Sequence, residues 1–223
     1  MMSALINKRR QFANFQHKLA CSLTMAHLQL DKKRIYTVEE YLALEEVSEV
    51  RHEFYQGEIF AMTGASLPHN RVLGNSYMAL MNRLNLDSCE AFVDGALVEI
   101  SADCFLYPDV VVSCHDEDLA SDRILRYPSV IIEVLSPKTA DYDRTSKLRL
   151  YQQLPSLQHY VLIRQDYCWV DCLTRNADEW SLRVYDSLAD ELELSALGIR
   201  IPLAELYKRV KLGNPPQLRP DMQ

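Results

Sequence analysis

The chain has 223 residues, 48% of them hydrophobic, and a formal net charge of −7, which suits one globular domain with a substantial core. It holds no apolar run approaching the roughly 18 residues that a membrane-spanning helix needs. Its acidity argues against a protein that coats nucleic acid through a broad basic face, though a local basic groove on an acidic body stays open.

Charge is unevenly spread. Residues 1–34 carry seven Lys or Arg (Lys8, Arg9, Arg10, Lys18, Lys32, Lys33, Arg34) and one acid, Asp31, leaving 17 bases against 30 acids in the remainder. This segment has some helical periodicity but no compact apolar pattern. It reads as an organelle transit segment, as an arm that touches nucleic acid, or as upstream sequence ahead of a functional start at Met25. The third reading is preferred, so residues 1–34 are expected to be an extension outside the working domain.

The domain, expected over 35–210, opens at Thr37-Val38-Glu39-Glu40, which has the spacing of a capping box, with Tyr41, Leu42 and Leu44 following on a helical period. Residues 57–63 read as a strand. Pro68-His69-Asn70 leads into a helix with Leu73, Tyr77, Leu80 and Leu84 on one stripe. Residues 91–100, 109–113 and 130–135 read as strands; Val110-Val111-Val112 and Val130-Ile131-Ile132 are too continuously apolar for a half-exposed sheet and predict central strands. A helix is expected from about Arg144 to Leu154, stopped by Pro155. Strands at 159–164, 168–173, 180–185 and 191–194 follow, then a short helix within 202–210. The proline-bearing tail, 211–223, is expected to be disordered. The order predicts an α/β fold, a mixed central β-sheet flanked by helices.

Six cysteines (Cys21, Cys89, Cys104, Cys114, Cys168, Cys172) contain no CxxC pair, and no quartet of zinc ligands is evident. They are expected to be reduced thiols in or near the core. With no signal peptide, the expected compartment is the cytoplasm.

Two of the apolar strands each carry one carboxylate: Asp109 opens Val110-Val111-Val112, and Glu133 lies within Val130–Leu135. A carboxylate inside an apolar strand is costly unless it is paired or holds a cation. Neighbouring strands sharing one cation would account for both, and oxygen ligands favour magnesium or manganese over zinc. Such a cation can bind a phosphate oxygen and activate water, and a lysine nearby can stabilise developing charge. Each residue also has a plainer reading. Asp109 after Pro108 could be a turn residue. Glu133 could pair with Arg126 or Arg149. Lys147 could be a solvated helix lysine next to Asp143, whose loss would change stability by no more than about 0.5 kcal/mol.

Tyr107-Pro108-Asp109, Ile132-Glu133-Val134-Leu135-Ser136-Pro137 and Tyr142-Asp143-Arg144-Thr145-Ser146-Lys147-Leu148-Arg149-Leu150-Tyr151 resemble the hallmark blocks of the Uma-two family of restriction-endonuclease-like proteins, in the PD-(D/E)XK nuclease superfamily. Thr37–Leu42, Glu53–Ile59, Ser66 and His69 are similar to that family's earlier part, and the resemblance spans roughly residues 36–207. It implies a restriction-endonuclease-like core, Asp109 and Glu133 as catalytic metal ligands, and the backbone carbonyl of Val134 as a further ligand. The lysine that the superfamily places two residues after the second acid is Leu135 here. The family pattern moves that lysine to the following helix, at Lys147; Lys138 stands where the family has none fixed. Glu53 and His69 are second-rank candidates, Glu53 to complete the metal shell and His69 to contact phosphate or cap its helix. The implied function is a Mg2+- or Mn2+-dependent endonuclease acting on DNA, with a homodimer by analogy and no membrane association. The alternative is a catalytically inactive nuclease fold serving as a nucleic-acid or protein binding module.

Overall fold

A computed structural model describes residues 34–215 except Thr63, Lys138 and Asp178. The basic segment through residue 33, the tail from residue 216 and Lys138 therefore lie outside the described residues. Thr37 forms its capping box with Glu40 and opens α1 (Val38–Val47). A hairpin of β1 (His52–Tyr55) and β2 (Glu58–Ala61) follows. Its two-residue turn places Gln56 and Gly57 at φ 49° and 86°, the double positive φ that matches the twist of a hairpin. The strand expected at 57–63 is thus Glu58–Ala61, with Gly57 belonging to the turn before it.

Ser66 caps α2 (Leu67–Met81). The segment expected as one strand at 91–100 divides into β3 (Glu90–Val93) and β4 (Leu97–Ser101). Asp94 and Gly95, at φ 47° and 148°, turn the chain from one sheet to another. Then come β5 (Cys104–Leu106), β6 (Val110–Ser113), α3 (Asp116–Leu119), β7 (Ile124–Leu125) and β8 (Pro128–Leu135). The helix α4 starts earlier than its periodicity predicts. It runs through Ala140–Tyr142, a π-helical Asp143–Lys147 and Leu148–Tyr151. Strands β9 (His159–Arg164), β10 (Val170–Asn176), β11 (Glu179–Tyr185), β12 (Glu191–Leu194) and β13 (Ile199–Pro202) and the short α5 (Leu203–Leu206) complete the order.

Among the described residues, one sheet has the order β11-β10-β9-β8-β6-β3, a second β2-β1-β5-β4-β7, and β12 pairs with β13. The first is mixed: β8 runs parallel to β9 and antiparallel to β6. Its central strands are covered on both faces, which is why they read as unbroken apolar runs. Val110, Val112, Val130 and Ile132 face α2, β12, β13 and α5. Val111, Ile131 and Leu135 face the other way, against Val98, Cys104 and Leu106 of the second sheet and Tyr151 of α4. The second sheet, α4 and the end of β8 therefore converge on one side of the central sheet.

The cysteines need one correction. Glu90 of β3 pairs with Ser113 of β6, so the residues one step out, Cys89 and Cys114, lie opposite each other and form a disulfide, with Cα atoms 4.0 Å apart. Cys104, Cys168 and Cys172 are free. A bridge that closes a loop of this size constrains the unfolded chain, so Cys89→Ser should cost about 2–4 kcal/mol, measured by denaturant unfolding. No helix among the described residues is long and apolar enough to cross a membrane.

Candidate active site

Register places the first two carboxylates. Val110 of β6 pairs with Ile132 of β8; one step further out, Asp109 faces Glu133, on the same side of the sheet as Ile131 and Leu135. The backbone N–H of Asp109 lies 3.4 Å from Glu133 Oε2. Asp109 Oδ2 accepts the Val134 N–H at 2.6 Å and meets His69 Nε2, from the first turn of α2, at 3.2 Å. Asp109 thus does more than terminate a turn: it ties the ends of β6 and β8 to the start of α2.

Glu133 is almost fully enclosed. Its Oε1 accepts from Lys147 Nζ and from the Tyr151 hydroxyl, both at 3.0 Å, which leaves Oε2 on the side of Asp109. Of the two arginines suggested as plain partners, Arg126 pairs instead with Glu99 at 2.8 Å and Arg149 is exposed. Lys147 is 6% exposed, so the solvated-lysine reading is wrong, and the small stability effect that went with it falls too. Its ammonium sits 2.9 Å from Glu53 Oε1 on β1, an ion pair without hydrogen-bond alignment. It is also 3.8 Å from Asp143 Oδ1. Lys138, the comparison lysine, is outside the described residues.

The structure thus gathers Asp109, Glu133, Lys147, Glu53 and His69 and adds two residues that sequence reasoning had not placed there. Asp143 is buried, having been read only as a surface partner for Lys147. Tyr151 stands in the sequence only as the last residue of the third family block. A tyrosine on an inward helix face carries a hydroxyl that must find an acceptor, and that was the available signal. The π-helical turn explains the geometry: residues four apart drift about 40° around an α-helix. A wider turn between Asp143 and Lys147 offsets that drift, so Asp143, Lys147 and Tyr151 all stay inward.

Among the described residues the cleft is short of positive charge. Four carboxylates share Lys147 and His69. Burial pushes the Glu133 carboxyl up, against the opposing pull of Lys147, and the charges of Asp109, Asp143 and Glu53 add to the rise. Burial also raises Asp143, offset in part by Lys147 and a hydrogen bond from Thr139. The Lys147 ammonium loses hydration on burial, yet Glu133, Glu53 and Asp143 hold it charged, well above the usual lysine range. His69 is likewise opposed by burial, but Asp109 and the Val134 backbone leave it more readily protonated than a free histidine. Its Nδ1 is buried without a hydrogen-bond partner.

A model of the Uma2 family, described as "Putative restriction endonuclease", matches residues 38–204. The chain belongs to the Uma2 family. Two curated Synechocystis sp. (strain ATCC 27184 / PCC 6803 / Kazusa) proteins resemble this Uma2 chain. "Uncharacterized protein slr1290" is 34% identical over 76% of the chain and 90% of the relative. "Uncharacterized protein sll1609" is 34% identical over 74% and 96%. The fold is shared with a solved structure from Anabaena variabilis ATCC 29413, described as "a putative nuclease belonging to DUF820". Its TM-score is 0.64 at 17% identity, covering 77% of this chain and 97% of that one. The mixed sheet flanked by helices is accordingly a restriction-endonuclease-like fold, and the family's general activity is that of a nuclease.

Proposed function

We propose that this Uma2 chain is a divalent-metal-dependent endonuclease that hydrolyses phosphodiester bonds in DNA, with Asp109, Glu133 and Lys147 as its catalytic residues. The observation that carries this reading is the surplus of enclosed negative charge where two strand ends meet: buried Glu133, Glu53 and Asp143 and half-buried Asp109 against, among the described residues, one lysine and one histidine. Charge enclosed in this way calls for a cation.

The donors fit a hard one. Asp109 and Glu133 Oε2 face each other, and the backbone carbonyl of Val134 would add a third oxygen. Among the described residues no three His, Cys, Asp or Glu side chains are arranged to hold a metal by themselves. Carboxylate and carbonyl oxygens are the donors that Mg2+ or Mn2+ takes, with waters filling the remaining positions. When bound, such a cation supplies Lewis acidity and a water of lowered pKa.

The remaining work falls to this chain's own groups. Lys147, kept charged by its three carboxylates, holds a proton donor beside Glu133 and would stabilise charge that develops on the phosphoryl oxygens. Tyr151 fixes the rotamer of Glu133. Glu53 and Asp143 hold Lys147 in place, and Glu53 would be the further carboxylate to complete the metal shell. His69 steadies Asp109 from the helix start.

Incubating plasmid and oligonucleotide DNA with the purified chain tests the reading. Cleavage should appear with Mg2+ or Mn2+, vanish with chelator, and be lost in Asp109→Asn. Cleavage that persists unchanged in that variant would sink the proposal. Tyr151→Phe removes only the hydroxyl that holds Glu133. Metal affinity measured by calorimetry should then drop about 10-fold or more, the usual effect of losing a ligand's supporting hydrogen bond. Unaltered affinity would assign the tyrosine to packing alone.

A further inference from the structure

Beside the charged cleft the fold exposes aromatic rings that its core does not use. Glu53 of β1 stands directly opposite Phe60 of β2, and Tyr55 opposite Glu58. Partners in an antiparallel pair share a face, so Phe60 and Tyr55 project on the same side as Glu53, the residue that meets Lys147. The other face of the hairpin carries Phe54 and Ile59 into the core around Tyr41. Phe60 is 46% exposed and Tyr55 38%. From the opposite wall Tyr142, at the start of α4, is 39% exposed, with its ring centroid 5.8 Å from Lys147 Nζ. Three rings thus border the ammonium and carboxylates of the cleft.

Charge decides what these rings can receive. The hairpin face also carries Glu53 and the exposed Glu58, which repel a phosphate backbone. Two guanidinium groups are held in ion pairs, Arg144 with Asp171 at 2.9 Å and Arg164 with Asp166 at 2.9 Å, while Arg71, two residues beyond His69, is exposed. Along this hairpin face the described residues offer carboxylates, which give a phosphate backbone nothing to grip, whereas an aromatic ring stacks on any base regardless of backbone charge. Bases within a duplex are already stacked and must be unpaired to be reached.

Resting on the nuclease reading above, we infer that Phe60, Tyr142 and Tyr55 form a stacking platform for unpaired bases next to the scissile phosphate. The substrate class is single-stranded or locally unpaired DNA.

Binding separates this inference from the nuclease reading. Fluorescence anisotropy would be measured for the full chain with Ca2+, using a labelled oligothymidine, an abasic strand of equal length and a duplex, with gels confirming that each probe stays intact. The oligothymidine should bind about tenfold or more tightly than the other two, and Phe60→Ala and Tyr142→Ala should each weaken it about tenfold, the scale of one lost base–ring stack. Phe60→Tyr, which keeps a ring, should bind as the wild type does. Equal affinity for the abasic strand or the duplex, or alanine variants that bind normally, would overturn the inference even if the protein cuts DNA with Mg2+. Ring-dependent binding without cleavage of any substrate under Mg2+ or Mn2+ would uphold the platform and reject the nuclease.

Discussion

Lys147→Ala is expected to cut DNA about 100-fold more slowly or worse, as losing one preorganised donor does elsewhere, and also to lose much of its stability without metal. The second effect follows from burial. Lys147 is enclosed, and its ammonium is the common partner of Glu53, Glu133 and Asp143. Removing it leaves three buried carboxylates facing one another, and breaking a buried ion pair from one side costs about 3–5 kcal/mol. In a domain of this size that corresponds to a melting temperature lower by about 10 °C. Cleavage assays must therefore run well below both transitions. A variant that melts normally would mean that the carboxylates already shed their charge in the metal-free protein. Full activity in a folded variant would remove Lys147 from the chemistry and leave Asp109 and Glu133 as the only catalytic side chains.

The change in that expectation shows where sequence reasoning reaches and where it stops. Val110–Val112 and Val130–Ile132 announce central strands because both faces of each are covered, and continuous apolarity is the direct imprint of that covering. Once the two strands are neighbours, Asp109 and Glu133 must lie together, since a ladder fixes which residues oppose. The second sheet is legible only in part: β2 and β4 fall within the strands expected at 57–63 and 91–100, but β1 and β5 are not foreseen. Its strands β1, β2, β4 and β5 are short, and the turn at Asp94-Gly95 that divides two sheets looks from composition like a strand interior. Glu53 entered only through family resemblance, because nothing local distinguishes a carboxylate that faces Lys147 from one that faces water. Asp143 was hidden for a related reason. Its burial comes from a π-helical turn whose cause is tertiary packing, with Tyr160 donating to the Asp143 carbonyl at 3.0 Å. The disulfide depends on the β3–β6 register, which no cysteine spacing reveals.

Glu133→Gln isolates the conflict between stability and function at this site. Cleavage should fall on the order of a thousandfold, as for other residues at the centre of a catalytic unit, while the metal-free protein becomes more stable at neutral and alkaline pH. The sign comes from the direction of the carboxyl's shift. Burial raises Glu133 above its ordinary value of 4.5, so the native state binds that proton more tightly than the unfolded chain does. The stability it contributes is complete below about 4.5 and is lost as pH climbs toward the raised native value. Glutamine keeps the shape and an oxygen for Tyr151 and Lys147 but has no charge to desolvate, and Glu53 and Asp143 remain to balance the lysine. Denaturant unfolding without metal should give similar stabilities for the two proteins near pH 4.5 and a difference favouring the variant that widens toward about pH 8.5. Added Mn2+ should restore the wild type at the alkaline end, because ligand binding to the native state stabilises it by mass action. It should do little for the variant, which has lost a ligand. Parallel pH curves for the two proteins would show that Lys147 fully compensates the Glu133 carboxylate in the folded chain. The site would then lack the unbalanced charge that the metal proposal rests on.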